Sequence, residues 1–353
     1  MGLFGKKKNL VGLDIGSSSI KAVELKAGKG DAFQLTTVGI MYLPQEAIVD
    51  GQIMDSTSVI EAIQRLFSEY KIKTQDVATA ISGSSVIVKK IQLPSMSEQE
   101  LSESIHWEAE QYIPFDINDV RLDYVILSDG GMGDESMEVL LVAVKRDKVN
   151  DYVSVISQSG KTPAIVDLDA FAVQNAYETN YDVDPDKVVA LVNMGAGVTN
   201  INILSRGATV FWRDISFGGN QFSEALQREF NLSFDQAEQV KRGEDVEGCS
   251  AAEARTVLDA VSAEMASEIQ KTFDFFAATA SEDSVDELVV SGGCALTENL
   301  VSVLKERFGV STELMNPLRR IHYRENDFDG QWLQSIAPML TVSVGLAVRK
   351  IGE

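Results

Sequence analysis

VGLDIGSSSIK, at residues 11–21, joins an apolar run to a second one through an aspartate, a glycine and three serines. Short apolar runs on both sides of a glycine turn indicate two antiparallel strands joined by a tight hairpin. In P-loop and Rossmann sites the glycines precede a helix instead, so the stretch predicts neither of those folds. Taken alone, it indicates a plain hairpin with a glycine turn, or a hairpin whose successive N–H groups hold a phosphate.

The second half of the chain opens with a similar stretch, LVNMGAGVT at residues 191–199. When the two stretches are aligned, Asn193 corresponds to Asp14 and Gly195 to Gly16. A repeat of this kind indicates a duplication, with one hairpin opening each half and a ligand between the halves. Because 353 residues are enough for two hydrophobic cores, we expect an α/β protein of two lobes.

The net charge of −22 restricts the partners of the chain. Such a surface repels nucleic acid and an anionic membrane face, and it attracts a basic peptide. Cys249 and Cys294 are far apart in sequence and indicate neither a metal site nor a disulfide framework. No apolar run approaches the ~20 residues needed to span a bilayer. We therefore expect a cytoplasmic protein that reaches a membrane only through a partner.

The pattern of predicted strands and helices changes over residues 76–160 and predicts an inserted α+β subdomain at residues 83–158, roughly 75–80 residues, a plausible size for a folding unit. Two strands are followed by a helix over Glu98–Ile113, two more strands and a closing helix. Ser97 and Glu100 have the spacing of a capping box at the start of the first helix. The tip of the second strand pair, at residues 128–134, reads as a flexible hairpin.

Three later motifs are each weak when taken alone. GGN at residues 218–220 opens a predicted helix. Glu238 and Lys241 are spaced as an i,i+3 pair, which by itself indicates a surface salt bridge. SGGCAL at residues 291–296 joins a strand to a helix, and its glycines would let the backbone approach a nucleotide.

In this order, the two hairpins and the three later motifs resemble the actin/Hsp70/FtsA superfamily. The resemblance implies an actin/Hsp70-like ATPase fold with two RNase H-like lobes and a 1C-type α+β insertion, and it implies ATP and Mg²⁺ as ligands. Asp14 would hold the metal through water, and Lys21 would neutralise phosphate charge. The implied ATP-binding residues are Asp14, Gly16, Ser17, Ser18, Lys21, Gly195, Gly197, Thr199, Gly218, Gly219, Asn220, Glu238, Lys241, Gly292, Gly293 and Ala295.

The same resemblance implies how the chain is divided into lobes. The implied segments are residues 1–82 and 159–187 in lobe I, the insertion at 83–158, lobe II at 188–340 with a helical 2B part at about 221–285, and a C-terminal helix at 341–353 that returns to lobe I.

Two residues are candidates for catalysis. Asp169 falls near the position of the water-orienting residue of the superfamily. Asn193 stands where actin and many relatives have aspartate, and a neutral amide orients water without adding negative charge. We therefore expect slow or negligible ATP hydrolysis.

Within the superfamily, the chain resembles the PilM family of type IV pilus assembly. The resemblance rests on GLFGKK at residues 2–7, the first hairpin, YIPF at residues 112–115 and DLDAFA at residues 167–172. It implies a cytosolic ATP-binding scaffold of the inner-membrane assembly platform, used in pilus biogenesis and twitching motility. The implied partner is the cytosolic N-terminal tail of a PilN-like membrane protein. Other platform proteins, motor ATPases and self-assembly into a ring or filament are further implied contacts.

The insertion is the expected wall of the groove for that tail. Apolar residues recur at helical spacing along its first helix, and they would face either the groove or the core of the insertion itself. The strand before the helix offers an edge for β-addition. The candidate peptide-contacting residues are Ile91, Leu101, Ile105, Ala109, Tyr112 and Ile113.

Two other functions fit the same superfamily. A sugar or acetate kinase needs a catalytic aspartate and a substrate pocket in the cleft, and the sequence offers no clear candidate besides Asp14 and Asp169. An FtsA-like cell-division filament protein would carry a membrane-targeting amphipathic tail, which is not expected after the final predicted helix. A phosphoryl-transfer screen and pelleting with ATP would separate these alternatives from a scaffold.

Overall fold

The computed structural model describes residues 10–28, 32–128, 136–279 and 284–351. The GLFGKK segment and most of the predicted hairpin tip at residues 128–134 lie outside these ranges. Within them, no helix is both long and apolar enough to cross a membrane.

The elements in the described ranges are numbered in chain order. The strands are β1 (Val11–Ile15), β2 (Ser19–Ala27), β3 (Phe33–Tyr42), β4 (Ile48–Val49), β5 (Gln52–Ile53), β6 (Asp76–Ile81), β7 (Val86–Pro94), β8 (Val120–Ser128), β9 (Ser136–Lys145), β10 (Thr162–Leu168), β11 (Val188–Met194), β12 (Thr199–Ser205), β13 (Ala208–Ile215), β14 (Glu287–Ser291) and β15 (Ser311–Leu314). The helices are α1 (Ser56–Glu69), α2 (Glu98–Glu110), α3 (Arg146–Gln158), α4 (Asp169–Asn180), α5 (Gly219–Phe230), α6 (Phe234–Lys241), α7 (Ala251–Thr279), α8 (Leu300–Phe308), α9 (Gly330–Ile336) and α10 (Thr341–Ala347).

Two five-stranded sheets of the same topology form the two lobes. The first sheet has the order β10-β6-β1-β2-β3 and the second β13-β12-β11-β14-β15. In each, three consecutive strands pair antiparallel, and the first of them also pairs parallel with a later strand. The repeat in the sequence therefore corresponds to two equivalent sheets.

Parallel pairing places the polar segments at one edge of each sheet. β1, β6 and β10 run parallel, so the residues that follow them lie at a common edge. This edge collects the first hairpin, Gly83 after β6 and Asp169 after β10. The second sheet likewise brings its hairpin next to residues 291–296 after β14.

The inserted subdomain has its own sheet and core. Its strands have the order β7-β9-β8, and α2 covers one face. The predicted capping box of α2 is confirmed, since Ser97 Oγ accepts from the N–H of Glu100 at 3.3 Å and the Glu100 carboxylate accepts from the N–H of Ser97 at 2.8 Å.

The structure corrects most of the predicted peptide-contacting set. Five of its residues are at most 6% exposed because they pack in the core of the inserted subdomain, and they are not available to a partner: Ile91, Leu101, Ile105, Ala109 and Ile113. Tyr112 is half-buried, with Lys89 Nζ 5.2 Å from the centre of its ring.

Helix α3 packs with the first lobe, although it lies within the predicted segment 83–158. Its residues Tyr152, Val155 and Ile156 are buried in the cluster that contains β1 and α1. We propose that the inserted subdomain proper covers residues 86–145, because its separate core draws on β7, α2, β8 and β9.

Helix α10 packs closely against β1 and α4 of the first lobe because a glycine lies at each contact. Gly12 of β1 faces α10, and Gly345 of α10 faces α4. A β-carbon on Gly12 would lie 1.9 Å from the carbonyl oxygen of Ser343, and one on Gly345 would lie 1.6 Å from that of Ala172. Beyond the helix, Arg349 Nη1 lies 2.7 Å from the buried carboxylate of Asp167 at the end of β10.

Substitution of Gly345 tests this packing. Gly345→Ala should lower the free energy of unfolding by about 3 kcal/mol, the upper end of the overpacking range, because the helix must move away from α4. Gly330→Ala is the matched control, since its β-carbon would lie 3.7 Å from Tyr323 Oη, an ordinary contact. Chemical denaturation measures both, and equal stabilities would contradict the packing argument.

Candidate functional site

The tips of the two hairpins lie close to each other between the two lobes, and the region around them is called the cleft below. Each tip is closed by a backbone hydrogen bond, from Gly16 N–H to the Ser19 carbonyl at 3.2 Å and from Gly195 N–H to the Val198 carbonyl at 2.9 Å. A β-carbon on Gly197 would lie 3.4 Å from Ser17 Oγ. The two stretches that the sequence predicted to hold phosphates therefore line one cleft.

Asp14 and Lys21 form a buried ion pair at the base of the first hairpin. They are cross-strand partners in β1 and β2, and Lys21 Nζ lies 3.2 Å from Asp14 Oδ2. Each side chain is 12% exposed, so the cleft face of the hairpin holds one carboxylate and one ammonium. A β-carbon on Gly16 would lie 3.1 Å from this ammonium, which places the cation directly at the glycine turn.

The start of α5 supports the second hairpin. The N–H groups of Gly219 and Asn220 donate to the carbonyls of Gly195 and Ala196 at 2.9 and 2.8 Å. The Thr199 hydroxyl donates to the carbonyl of Phe217 at 2.7 Å. These predicted ATP-binding residues thus shape the hairpin, and the two N–H groups are already used by its carbonyls.

Lys241 is buried where the later predicted ATP-binding segments, residues 218–220 and 291–296, meet. Its Nζ lies 3.3 Å from the Gly219 carbonyl and 3.0 Å from Ser223 Oγ, and it pairs with Glu238. The side chain of Lys241 is only 7% exposed, so the pair is not an ordinary surface salt bridge. A β-carbon on Gly219 would lie 3.5 Å from the β-carbon of Cys294, which brings the loop after β14 to the same place.

Gly292 lets that loop lie against the end of β11. Its φ of +88° belongs to the region that glycine favours, and a β-carbon there would lie 2.3 Å from the Met194 carbonyl oxygen. Its N–H donates to the Pro338 carbonyl at 2.9 Å. The following residues, Gly293 to Leu296, form a short 3₁₀ turn facing the cleft side of α5.

Asn193 belongs to a buried hydrogen-bond chain inside the second sheet. Its oxygen accepts from Ser291 Oγ at 3.2 Å, and its nitrogen donates to Asn200 Oδ1 at 3.1 Å. Asn200 in turn donates to Asp214 Oδ1 at 2.7 Å. The candidate catalytic amide is therefore fixed in orientation by its neighbours.

Asp169 lies close enough to Asp14 for the two carboxyl groups to influence each other. It is the first residue of α4, and burial, followed by the nearby Asp14 carboxylate, raises its pKa to about 7. Burial also raises the pKa of Asp214 to about 6, against the hydrogen bonds from Asn200 and Gly83 that lower it. Perturbed carboxyl groups in a cleft are a common mark of functional sites.

Lys148, Asp214 and Asn200 were missed by the sequence reasoning. Lys148 donates to the Ser82 carbonyl, and its burial lowers its pKa although Asp169 and Asp214 lie nearby. A signal existed for the lysine, because it occupies the apolar stripe of α3 one turn before Tyr152. Asp214 carried no comparable signal, since its partners come from other strands.

The carboxylates do not form a closed metal cage. Among the described residues, no group of three or more histidine, cysteine, aspartate or glutamate side chains is placed to hold a metal ion. Mg²⁺ commonly keeps several waters and takes one or two carboxylates together with phosphate oxygens. Asp14, with Asp169 nearby, fits that kind of site.

The sheets and the cleft together define an actin-like ATPase fold, and known proteins of this fold align over nearly the whole chain. EutJ, an ethanolamine utilization protein from Carboxydothermus hydrogenoformans, aligns with a TM-score of 0.59 at 15% identity, covering 98% of this chain and 90% of EutJ. MreB5 of Spiroplasma citri bound to AMPPNP aligns with a TM-score of 0.53 at 15% identity, covering 97% and 95%.

The family model described as type IV pilus assembly protein PilM matches residues 12–351, so the chain belongs to the PilM family. A solved PilM–PilN type IV pilus biogenesis complex aligns with a TM-score of 0.87 at 28% identity and covers 98% of this chain and 100% of the matched one. The cell division protein FtsA of Neisseria meningitidis is 22% identical over 258 residues, which span 67% of this chain and 61% of FtsA.

The raised pKa values predict a pH-dependent stability of the ligand-free protein. Folded Asp169 and Asp214 keep a proton where the unfolded chain, with pKa 3.8, has lost it. Their contribution is therefore full below pH 3.8 and is lost as the pH rises through about 6 and about 7. Asp169→Asn should flatten this fall by up to a few kcal/mol between pH 5 and 8, measured by urea unfolding.

The exposed Asp151→Asn serves as the control for this experiment. It should keep the pH dependence of the wild type. An Asp169→Asn protein with an unchanged slope would contradict the assignment of the raised pKa to that carboxyl group.

Proposed function

We propose that the chain is an ATP- and Mg²⁺-binding scaffold of the type IV pilus assembly platform, with the nucleotide state setting the affinity for a PilN-like partner. The observation that carries the proposal is the pair of small-residue hairpins that face each other over the buried Asp14–Lys21 pair. A cleft with a fixed ammonium and small-residue hairpin turns, which let a ligand approach the backbone closely, is suited to a polyphosphate. Membership of the PilM family supplies the biological setting.

The chain offers a separate region for each part of the nucleotide. Ser17, Ser18 and Gly197 at the hairpin tips lie where the phosphates would bind, with Lys21 as the counter-charge. Gly219, Lys241 and the loop of Gly292, Gly293 and Ala295 lie where the adenosine would bind. They converge on one side of the second hairpin. Mg²⁺ would supply further charge neutralisation at Asp14, through water.

Hydrolysis is slow in this proposal. The amide of Asn193 carries no negative charge and is held by Ser291 and Asn200. It therefore does not act as a base for the attacking water. A slowly hydrolysing protein holds one nucleotide state long enough to set the closure of the lobes.

The partner we propose is the cytosolic N-terminal tail of a PilN-like membrane protein. A solved neighbour at 28% identity is a PilM–PilN complex. The excess of acidic residues suits a tail next to a membrane, where such segments are commonly basic. Through this partner the protein would be cytoplasmic and peripheral to the inner membrane. Other platform proteins, motor ATPases and self-assembly are further contacts of the same proposal.

We propose that the tail binds at the junction of the inserted subdomain and α3, because the residues first predicted to contact it are mostly buried. A cavity of about 380 Å³ there is lined by Phe115, Asp116, Asp119, Lys145, Arg146 and Asp147. It offers an aromatic ring, with Lys145 Nζ 4.5 Å from its centre, and three carboxylates for a basic tail. Apolar anchors would supply most of the affinity and the charges would speed encounter.

Nucleotide binding is tested by thermal shift. ATP with Mg²⁺ at about 100 times its Kd should stabilise the protein by ~2.7 kcal/mol. Asp14→Ala and Lys21→Ala should remove this shift, and Glu46→Ala, on an exposed loop, should keep it. A folded wild type that no adenine nucleotide stabilises would contradict the proposal.

The wild type should turn over ATP well below the ~10 s⁻¹ median of enzymes.

Tail binding is tested with a synthetic peptide of the N-terminal tail of the PilN-like protein from the same organism. Phe115→Ala should weaken its binding at least about tenfold, the effect of losing an aromatic anchor. Trp107→Ala removes an exposed aromatic of the same subdomain outside the cavity and should leave binding unchanged. The reverse pattern, measured by titration calorimetry, would place the groove on the exposed face of α2.

A further inference from the structure

A chain of buried and partly buried hydrogen bonds runs from the second lobe to the turn at which the inserted subdomain begins. It begins at Ser291, passes through Asn193 and Asn200, and reaches Asp214 near the end of β13. The second oxygen of the Asp214 carboxylate accepts from the backbone N–H of Gly83. Gly83 belongs to the turn between β6 and β7, so the chain connects the second hairpin to the point where the inserted subdomain begins.

Asp214 is the member that joins the two lobes. Its two oxygens accept hydrogen bonds from different lobes. Oδ1 accepts from Asn200 within the second sheet, and Oδ2 accepts from the N–H of Gly83 across the cleft. Hydrogen bonds to a buried carboxylate are stronger than neutral ones. Removing the carboxylate would leave the Asn200 amide and the Gly83 N–H without this acceptor, at the cost of unsatisfied buried donors.

The root of the inserted subdomain is held tightly on its own side. Gly83 has φ +92°, and a β-carbon there would lie 3.0 Å from the Asp50 carbonyl oxygen. Its carbonyl accepts from the N–H of Val86, the first residue of β7, at 3.0 Å. Lys148 donates to the carbonyl of Ser82. The turn that Asp214 contacts is thus hydrogen-bonded directly to the first residue of β7.

A cavity lies beside this link. It measures about 320 Å³ and is lined by residues of β7 and β13, among them Val88, Trp212 and Asp214. The two strands belong to different sheets, so no strand ladder ties them. The cavity leaves room for the two strands to shift relative to each other while the Asp214–Gly83 hydrogen bond holds their ends.

We propose that Asp214 is a positioning residue that transmits the arrangement of the second hairpin and of the loop after β14 to the inserted subdomain. This link, which rests on the function proposed above, is the route by which nucleotide in the cleft alters partner binding. The link is reciprocal, so a partner on the inserted subdomain changes nucleotide affinity by the same factor.

Hydrogen exchange of the ligand-free full chain tests the link at its far end. Asn193→Ala changes the second lobe only, yet it should speed exchange in residues 82–88 about tenfold, as Asp214→Ala does, because either change releases the Gly83 turn. The double variant should show no more than the larger single effect, since both act through one chain. Asp214→Asn keeps an acceptor for the Gly83 N–H and should show a smaller increase.

Thr209→Val is the matched control. It lies on the same strand as Asp214, and its hydroxyl donates to Gln174 Oε1 at 2.9 Å, away from the chain. Exchange of residues 82–88 should remain at the wild-type rate in this variant. Additive effects of Asn193→Ala and Asp214→Ala, or no effect of Asn193→Ala at residues 82–88, would overturn the inference.

A second arm separates this inference from the proposed function. ATP with Mg²⁺ should change the exchange of residues 82–88 in the wild type, and Asp214→Ala should abolish that change. If the wild type shows no thermal shift with ATP, the proposed function fails while the ligand-free arm still decides the link. If ATP binds and exchange at residues 82–88 does not respond, the inference fails and nucleotide binding stands.

Discussion

Parallel pairing of β1 with β6 and β10 decides where the polar residues of the cleft lie. Residues that follow parallel strands meet at one edge, so Asp14, Gly83 and Asp169 come together although long segments separate them in sequence. The pairing of β11 with β14 does the same for the second hairpin and the loop after Ser291. The two sheets then need only face each other for a ligand site to exist between them.

The cleft also concentrates charges that are costly to bury. Among the residues that the structure describes, Lys21 and Lys148 are the cations that its ion pairs and electrostatics place near Asp14, Asp169 and Asp214. An uncompensated buried charge shifts its pKa rather than staying ionised, which is the behaviour of Asp169 and Asp214. If the proposed metal binds there, it would stabilise the ionised carboxylates, so that its binding would release protons.

Much of the fold was predictable because small residues at hairpins carry a direct backbone signal. The two hairpins, the repeat and the capped helix α2 follow from local chemistry. The partner surface could not be predicted in the same way. A periodic apolar stripe gives the same sequence pattern whether it faces a groove or its own core, and Leu101 and Ile105 face the core. Asp214 and Asn200 were not predicted, because their hydrogen bonds join different strands. The sequence of one segment does not indicate which strand it pairs with.

The contact between Gly12 and α10 has a consequence for folding on the ribosome. β1 is synthesised before the strands of the second lobe, and the helix that covers it is synthesised after them. The first lobe therefore does not complete its core as an independent early unit, even though most of its strands are already made. Until α10 docks, the apolar groove beside β1 stays open to chaperones or to wrong contacts. The core of the first lobe is therefore completed only after the strands of the second lobe have been synthesised.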